Sequence, residues 1–191
     1  MMNKYEAIVI GVSFGGMHAL STIIPDLPKD FSMPIIIVQH QMSGKVEMLH
    51  TILDKVSHME VLEAKQNEKV CSKTVYIAPG GYHLLIETNK TFSLSVDIPV
   101  NHSIPSIDVL FDSAAQTYKS KLVGILLTGA NNDGSLGLKK IREYGGLAIV
   151  EDPKTAQVNI MPQSALDIAG ADFVLTLDEI KKYLLENNYG E

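Results

Sequence analysis

The 191-residue chain contains a single cysteine, Cys71, and no tryptophan. One cysteine cannot form a disulfide within the chain, and it excludes zinc sites that are built from paired cysteines. A chain of this length buries roughly 70% of the surface that its unfolded form exposes, so it needs neither disulfides nor a structural metal to be stable. The lone thiol fits a reducing compartment, and we expect a cytoplasmic protein that folds as one domain over residues 1–191.

The sequence also has no long apolar run and no cluster of positive charge. Its apolar segments, such as 7–12 and 34–38, are far shorter than the ~20 residues that cross a bilayer, and the first is too short for a signal-peptide core. The 16 basic and 22 acidic side chains give a net charge of −6. Because these apolar segments are short, we do not expect membrane insertion. No run of Lys or Arg could neutralise a row of phosphates, so we do not expect nucleic-acid binding either.

Short β-branched runs alternate along the chain with longer stretches of helical periodicity. This alternation is typical of an α/β fold in which helices cover both faces of a doubly wound, mostly parallel sheet. The region 61–96 differs, because it lacks helical periodicity and shows short alternating runs around Asn89-Lys90, which predict an antiparallel hairpin. The pattern predicts strands at 5–10, 34–38, 122–127 and 147–150, and helices at 15–24, 44–55, 106–118 and 135–144.

Polar residues follow three of the predicted strands. The first strand leads into Ser13, the second ends at His40, and the strand at 122–127 runs into a loop that contains Asp133. In open parallel sheets, ligands bind beyond the carboxyl ends of the strands. We therefore expect a hydroxyl, an imidazole and a carboxylate at one edge of the sheet.

These are the residue types of a catalytic triad. A serine hydroxyl is a weak nucleophile unless a base takes its proton, and the base needs a group that fixes its tautomer. The segment 11–15 also fits G-x-S-x-G, in which glycines permit the sharp turn that exposes the serine. Backbone N–H groups at Phe14 and Gly15, where the next helix begins, are candidates to bind an oxyanion or the substrate. This chemistry requires neither a metal nor a cofactor.

Each of the three residues also has a purely structural explanation. Ser13 could cap the first helix, Asp133 could cap the helix from 135, and His40 could be an ordinary hydrogen-bonded histidine. Their coincidence at three strand ends favours the functional interpretation. The order serine, histidine, acid excludes the α/β-hydrolase family, in which the acid precedes the histidine. Ser13 also occupies the position where a dinucleotide-binding loop needs glycine.

Taken together, the spaced motifs resemble the catalytic domain of the CheB-type chemotaxis protein-glutamate methylesterases. The similarity extends over nearly the whole chain. The matching motifs are, in order, G-x-S-x-G-G at 11–16, Val-Gln-His at 38–40, Tyr-Ile-Ala-Pro-Gly at 76–80 with His83, Pro-Ser-Ile-Asp-Val-Leu-Phe at 105–111, and Leu-Thr-Gly through Asn-Asp-Gly at 127–134.

The resemblance implies both an activity and the roles of particular residues. Members of the family remove the methyl group from glutamate esters on chemoreceptor helices, often with deamidation of receptor glutamines. By motif position, Ser13 is the nucleophile, His40 the base and Asp133 the residue that orients it. Ala130, between the Thr-Gly and Asn-Asp-Gly motifs, is a further candidate to bind the substrate or an oxyanion. The implied partner is a methylated chemoreceptor or a related signalling protein.

Three departures from the family pattern affect this prediction. Phe14 follows the serine where threonine is usual, and the segment 101–104 lacks the arginine that often precedes the Pro-Ser motif. We therefore expect the capture of substrate to depend on apolar contact more than on charge. The receiver domain usual at the amino terminus has no counterpart before the first strand. We accordingly expect a separate regulatory protein to act in trans.

A second hypothesis, from another functional class, is a non-catalytic binding or scaffold module that retains the fold. Such a module would have lost activity through Phe14 and the altered segment 101–104. A complete set of triad residue types argues against such a loss. Reaction of Ser13 with a serine-directed probe distinguishes the two hypotheses.

Overall fold

The structure is a computed structural model, and it describes residues 5–40 and 46–188. Strands alternate with helices through most of this range. The strands are β1 (Ala7–Val12), β2 (Ile35–Gln39), β3 (Glu60–Glu63), β4 (Thr74–Ile77), β5 (His83–Ile86), β6 (Phe92–Ser95), β7 (Leu122–Leu126), β8 (Leu147–Glu151) and β9 (Phe173–Leu175). The helices are α1 (Gly16–Ile23), α2 (Val46–Val56), α3 (Ile107–Tyr118), α4 (Ser135–Glu143), α5 (Ile160–Ile168) and α6 (Leu177–Glu186), with a 3₁₀ turn at Lys119–Lys121.

Seven strands form a parallel sheet in the order β3-β4-β2-β1-β7-β8-β9. From β1 the chain builds the sheet towards one edge, and it then crosses back to place β7, β8 and β9 on the other side. The point where the direction reverses therefore lies between β1 and β7. A crevice beyond the carboxyl ends of the strands at such a point is the usual binding site of an open α/β sheet.

The helices cover both faces of the sheet, because alternate side chains of its strands point to opposite sides. On β1, Val9 packs with apolar residues of α3, α4 and α5, whereas Ile8 and Ile10 pack with those of α1, α2 and α6. All three side chains are fully buried. The doubly wound α/β fold predicted from the sequence is thereby confirmed.

The predicted hairpin around Asn89-Lys90 is also confirmed, as the antiparallel pair β5 and β6. The same region holds two strands that the sequence pattern did not predict. β3 and β4 pair in parallel with each other, and β4 joins the main sheet beside β2. The helix predicted at 44–55 is found as α2, but residues 44 and 45 lie outside the described range.

No helix in the described ranges is long and apolar enough to cross a membrane.

Candidate active site

Ser13 lies directly after β1, at the turn that leads into α1. Its backbone N–H donates to the carbonyl of Thr128 (3.0 Å), and its carbonyl accepts from the N–H of Gly16 (3.0 Å). Gly15 has a φ of 85°, a left-handed conformation that glycine adopts without strain. Gly15 is also the N-cap of α1, and no side chain among the described residues caps that helix. The alternative explanation of Ser13 as a helix cap is therefore wrong.

Gly11 contributes to this turn through packing rather than through its backbone angles. A Cβ at this position would overlap the side chain of Ile107 in α3 and approach Leu126 Cδ1 to 2.8 Å. The absence of a side chain at Gly11 lets the first turn of α3 reach the strand end beside Ser13. The strand end and the start of α3 are consequently held against each other.

His40 follows β2 and lies between the other two triad residues. Its ring is 12% exposed, with Nε2 at 2.7 Å from Asp133 Oδ2 and Nδ1 at 3.2 Å from Ser13 Oγ. An ionised carboxylate only accepts hydrogen bonds, so Nε2 carries the hydrogen and Nδ1 is free to accept one. Relative to the serine-protease arrangement, the two ring nitrogens exchange partners. The tautomer that leaves a basic nitrogen facing Ser13 is nevertheless the one fixed by Asp133.

Asp133 is fully buried and accepts hydrogen bonds from five donors. Oδ2 accepts from His40 and from the backbone N–H of Ile107 (2.7 Å), while Oδ1 accepts from Ser106 Oγ (2.8 Å), the N–H of Asp108 (3.1 Å) and Asn101 Nδ2 (3.2 Å). Burial by itself raises the pKa of Asp133, but the hydrogen bonds from His40, Ile107 and Ser106 outweigh it and leave the pKa below 3.8. The carboxylate is therefore ionised at neutral pH.

The two backbone donors to Asp133 belong to the first turn of α3, where unpaired N–H groups favour a negative charge. The alternative explanation of Asp133 as a cap for the helix from 135 is wrong, because the N-cap of α4 is Gly134 and none of the described donors to Asp133 belongs to α4. Asp133 instead caps α3, a helix that begins 26 residues earlier in the chain.

Asp108, in the first turn of α3, makes the reciprocal contact with α4. Its Oδ1 accepts from the N–H of Gly137 (2.7 Å), and its Oδ2 accepts from Asn101 Nδ2 (2.9 Å). Burial, reinforced by the charge of Asp133, raises the pKa of Asp108 to about 6. Each helix thus has its amino terminus capped by an aspartate from the start of the other. Nothing in the sequence pattern predicted this exchange of caps.

Asn131 also contacts the base. Its Nδ2 lies 3.3 Å from His40 Nδ1, and its Oδ1 accepts from the backbone N–H of Asp133 (3.2 Å). The side chain therefore reaches from the β7 loop to the same ring nitrogen that faces Ser13. The position of Asn131 directly after the strand-end motif is the only indication of this contact in the sequence.

The residues predicted to bind an oxyanion or the substrate lie around the serine. Phe14 is 60% exposed, and its carbonyl accepts from Thr128 Oγ1 (2.9 Å). The backbone N–H groups of Phe14, Gly15 and Ala130 have no acceptor among the residues that the structure describes. Gly129 fixes the loop beside Ala130 through bonds to Val158 and Met161. Their proposed roles stay predictions.

Thr128 connects the serine turn to the segment after β8. Besides its bonds to Ser13 and Phe14, its N–H donates to Glu151 Oε2 (2.8 Å), and its Oγ1 accepts from the N–H of Val158 (2.9 Å). Glu151 is buried, and this burial raises the pKa of its carboxyl. Neither contact was predicted from the sequence.

His83, which follows the Tyr-Ile-Ala-Pro-Gly motif at 76–80, makes no hydrogen bond to Ser13, His40 or Asp133. Its Nδ1 accepts from the N–H of Ser106 (3.2 Å), and its Nε2 donates to the carbonyl of Ile98 (3.1 Å). His83 thereby fixes Ser106, which in turn donates to Asp133. Within the described residues, no group of His, Cys, Asp and Glu side chains is arranged to hold a metal ion.

Comparisons with known proteins identify the family of the chain. A family model described as CheB methylesterase matches residues 8–184. A putative protein-glutamate methylesterase/protein-glutamine glutaminase of Leptospira interrogans is 51% identical over 95% of this chain and 94% of its own length. The protein-glutamate methylesterase/protein-glutamine glutaminase of Thermotoga maritima is 41% identical over 95% of this chain, which spans 54% of that protein.

A solved structure has the same fold. The crystal structure of the Thermotoga maritima CheB methylesterase catalytic domain superposes with a TM-score of 0.91 at 40% identity. The superposition covers 95% of this chain and 98% of the domain.

Proposed function

Because the chain belongs to the CheB methylesterase family, we propose that it hydrolyses glutamate methyl esters on a protein through an acyl-enzyme formed at Ser13. The single observation that carries the proposal is the continuous relay from Ser13 Oγ through His40 to the buried carboxylate of Asp133. This relay occurs in a chain that is 51% identical to a protein named as a methylesterase.

In the first step, Ser13 Oγ attacks the ester carbonyl carbon while its proton moves to His40 Nδ1. A bond from oxygen to carbon forms, and the carbonyl electron pair moves to the carbonyl oxygen. In this proposal the backbone N–H groups of Phe14 and Ala130 donate to that oxyanion, which is supported by their having no acceptor in the described part of the protein. The charge of Asp133 stabilises the imidazolium that results.

In the second step, the tetrahedral intermediate collapses and breaks the bond to the methoxy group. The Nδ1 proton of His40 passes to this group, which leaves as methanol. A water molecule then gives a proton to His40 Nδ1 and attacks the acyl carbon. The bond from that carbon to Ser13 Oγ breaks, His40 returns the proton to Oγ, and the glutamate side chain is released. A glutamine side chain would follow the same route with ammonia as the leaving group. Deamidation is therefore part of the proposal.

The substrate proposed is a methylated chemoreceptor or a related signalling protein. The site suits a side chain presented on a protein surface, because Ser13 lies at the open edge of the sheet and the adjacent Phe14 is exposed. The exposed aromatic ring offers apolar contact next to the ester.

Methanol release from methylated receptor of the same organism tests the proposal. We expect release by the wild-type chain, and a loss of at least about 10³-fold in kcat for Ser13→Ala. Ser21→Ala, which removes an exposed serine from α1, is the matched control and should retain wild-type activity. If the wild-type chain released no methanol and a serine-directed probe left Ser13 unmodified, the proposal would fail and the binding module would be favoured.

A further inference from the structure

The turn that precedes α3 places one side-chain amide between two buried carboxyl groups. Asn101 Nδ2 lies 2.9 Å from Asp108 Oδ2 and 3.2 Å from Asp133 Oδ1. Asp133 is fully buried and Asp108 is 9% exposed. Asn101 thereby contacts both aspartates that join α3 and α4.

The chemistry of this bridge requires a donor. An amide nitrogen carries two hydrogens, so it can donate one to each carboxylate, and an ionised carboxylate can only accept. With its pKa at about 6, Asp108 is mostly ionised at neutral pH, as is Asp133. Two negative groups in a buried environment repel each other strongly unless donors stand between them. Asn101 is the side chain that donates to both.

The backbone holds the amide in place. Val100 and Ser103 exchange both of their backbone hydrogen bonds, at 3.1 and 2.8 Å, across the pair Asn101-His102. Both central residues have positive φ, 50° and 62°, as in a type I′ turn. Asparagine is common in such turns for backbone reasons alone. A test must therefore separate the function of the amide from the requirements of the turn.

We infer that Asn101 is a positioning residue for the triad, whose amide neutralises the repulsion between Asp108 and Asp133 and so keeps Asp133 oriented towards His40. This inference rests on the proposed function of Ser13, His40 and Asp133. It assigns a role to Asn101 within the segment 101–104. The amide acts through Asp133 and touches neither Ser13 nor His40.

Two substitutions separate the amide from the turn. Asn101→Asp keeps the shape of the side chain and its tolerance of positive φ, but it places an acceptor between two carboxylates. Asn101→Gly removes the amide and relaxes the backbone requirement altogether. If Asn101 serves only the turn, both variants should resemble the wild type. If the amide positions Asp133, the isosteric aspartate should be the more damaging change.

At pH 8, we expect kcat to fall about 10- to 100-fold in Asn101→Gly, in line with the loss of a hydrogen bond to a charged group. A further fall of about tenfold is expected in Asn101→Asp, because a third negative charge enters the cluster. KM should change less than about twofold in both, because Asn101 is expected to affect the chemical step and not binding. Asn67 also has a left-handed φ, 64°, and its hydrogen bonds to described residues, with Phe92 and Gln66, do not involve the triad. Asn67→Gly and Asn67→Asp are the matched controls and should keep wild-type kcat.

Steady-state kinetics on a glutamyl methyl ester and the rate of Ser13 labelling by a fluorophosphonate are measured for each variant, with thermal unfolding as a check of folding. An Asn101→Asp variant that folds and matches or exceeds Asn101→Gly in kcat and labelling rate would overturn the inference. If Asn101→Asp does not fold, Asn101→Gly decides, since wild-type kcat in that variant also overturns it. A wild-type chain that is labelled at Ser13 but hydrolyses no ester refutes the proposed function alone, and the labelling rates still test Asn101.

Discussion

Replacing Asp133 by asparagine should disable the base through its tautomer. The asparagine amide must turn its NH₂ either towards His40 and Ile107, or towards Ser106, Asp108 and Asn101, and every one of these groups is a donor to the wild-type carboxylate. If the NH₂ turns towards His40, only the N–H of Ile107 is left as a fixed donor without an acceptor, because the imidazole can move its own hydrogen to Nδ1. If it turns the other way, the donors of Asp108 and Asn101 are both left without one. The ring then presents an N–H to Ser13 and cannot take its proton.

Asp133→Asn should lower both kcat and the free energy of unfolding, because the carboxylate of Asp133 accepts hydrogen bonds from the catalytic base and from the backbone of α3. An acid-to-amide change in a serine-protease triad costs about 10⁴ in kcat through the same change of tautomer, and we expect a loss of that order. The backbone N–H of Ile107 also loses its charged acceptor, which costs about 3 kcal/mol of the free energy of unfolding. Since the pKa of Asp133 is lowered, this stability difference is fully present above pH 3.8 and shrinks as the pH falls through the lowered value.

The assay combines kcat for methanol release, urea unfolding at pH 7, and ¹⁵N chemical shifts of the His40 ring, which report the tautomer. Asp112→Asn is the matched control, because Asp112 lies on α3 and its carboxylate accepts a hydrogen bond, among the described residues, only from Gln116 of the same helix. The reasoning is refuted if Asp133→Asn keeps kcat within tenfold of the wild type, or if its ring nitrogen Nε2 still carries the hydrogen.

Two further predictions concern residues around the site. Burial raises the pKa of Glu151, so the folded chain binds this proton more tightly than the unfolded chain, and the stability of the wild type should fall as the pH rises from 4.5 through the raised value. Glu151→Gln keeps an acceptor for the N–H of Thr128 and removes the carboxyl group whose ionisation destabilises the folded chain. Urea unfolding at pH 8 should therefore show the variant to be at least as stable as the wild type. A clearly less stable variant would contradict the explanation. Phe14→Thr should raise KM about three- to tenfold with little change in kcat, whereas Tyr144→Thr, another exposed aromatic, should change neither. In the wild type, kcat/KM should vary less than about threefold between low and moderate salt; a tenfold fall with salt, together with an unaffected Phe14→Thr, would show that charge governs capture.

The positions of Ser13, His40 and Asp133 could be predicted because each follows a buried strand, and parallel strands present their carboxyl ends at one edge. Hydrophobic pattern locates such strands well. It did not locate β3 and β4, which are only four residues long and lie towards one edge of the sheet, where β3 has exposed ends. Short strands of this kind give little periodic signal.

The contacts that orient the triad could not be predicted, because they are made across the fold. Local capping rules assign Ser13 and Asp133 to the helices that follow them, yet α1 and α4 begin at glycine caps and Asp133 caps α3. Asn101 is separated from Asp133 by 32 positions, and only the packing of α3 against α4 brings them together. No local pattern in a single sequence carries that information.

The most direct test of the proposed mechanism is to identify the residue that becomes covalently modified. Intact-mass and peptide mass spectrometry after treatment with a fluorophosphonate should show one adduct per chain, located on Ser13. The reaction should be at least about 100-fold slower in His40→Ala, and Ser13→Ala should remain unmodified. Ester hydrolysis by a chain whose adduct lies on another residue, or whose Ser13 never reacts, would contradict the mechanism.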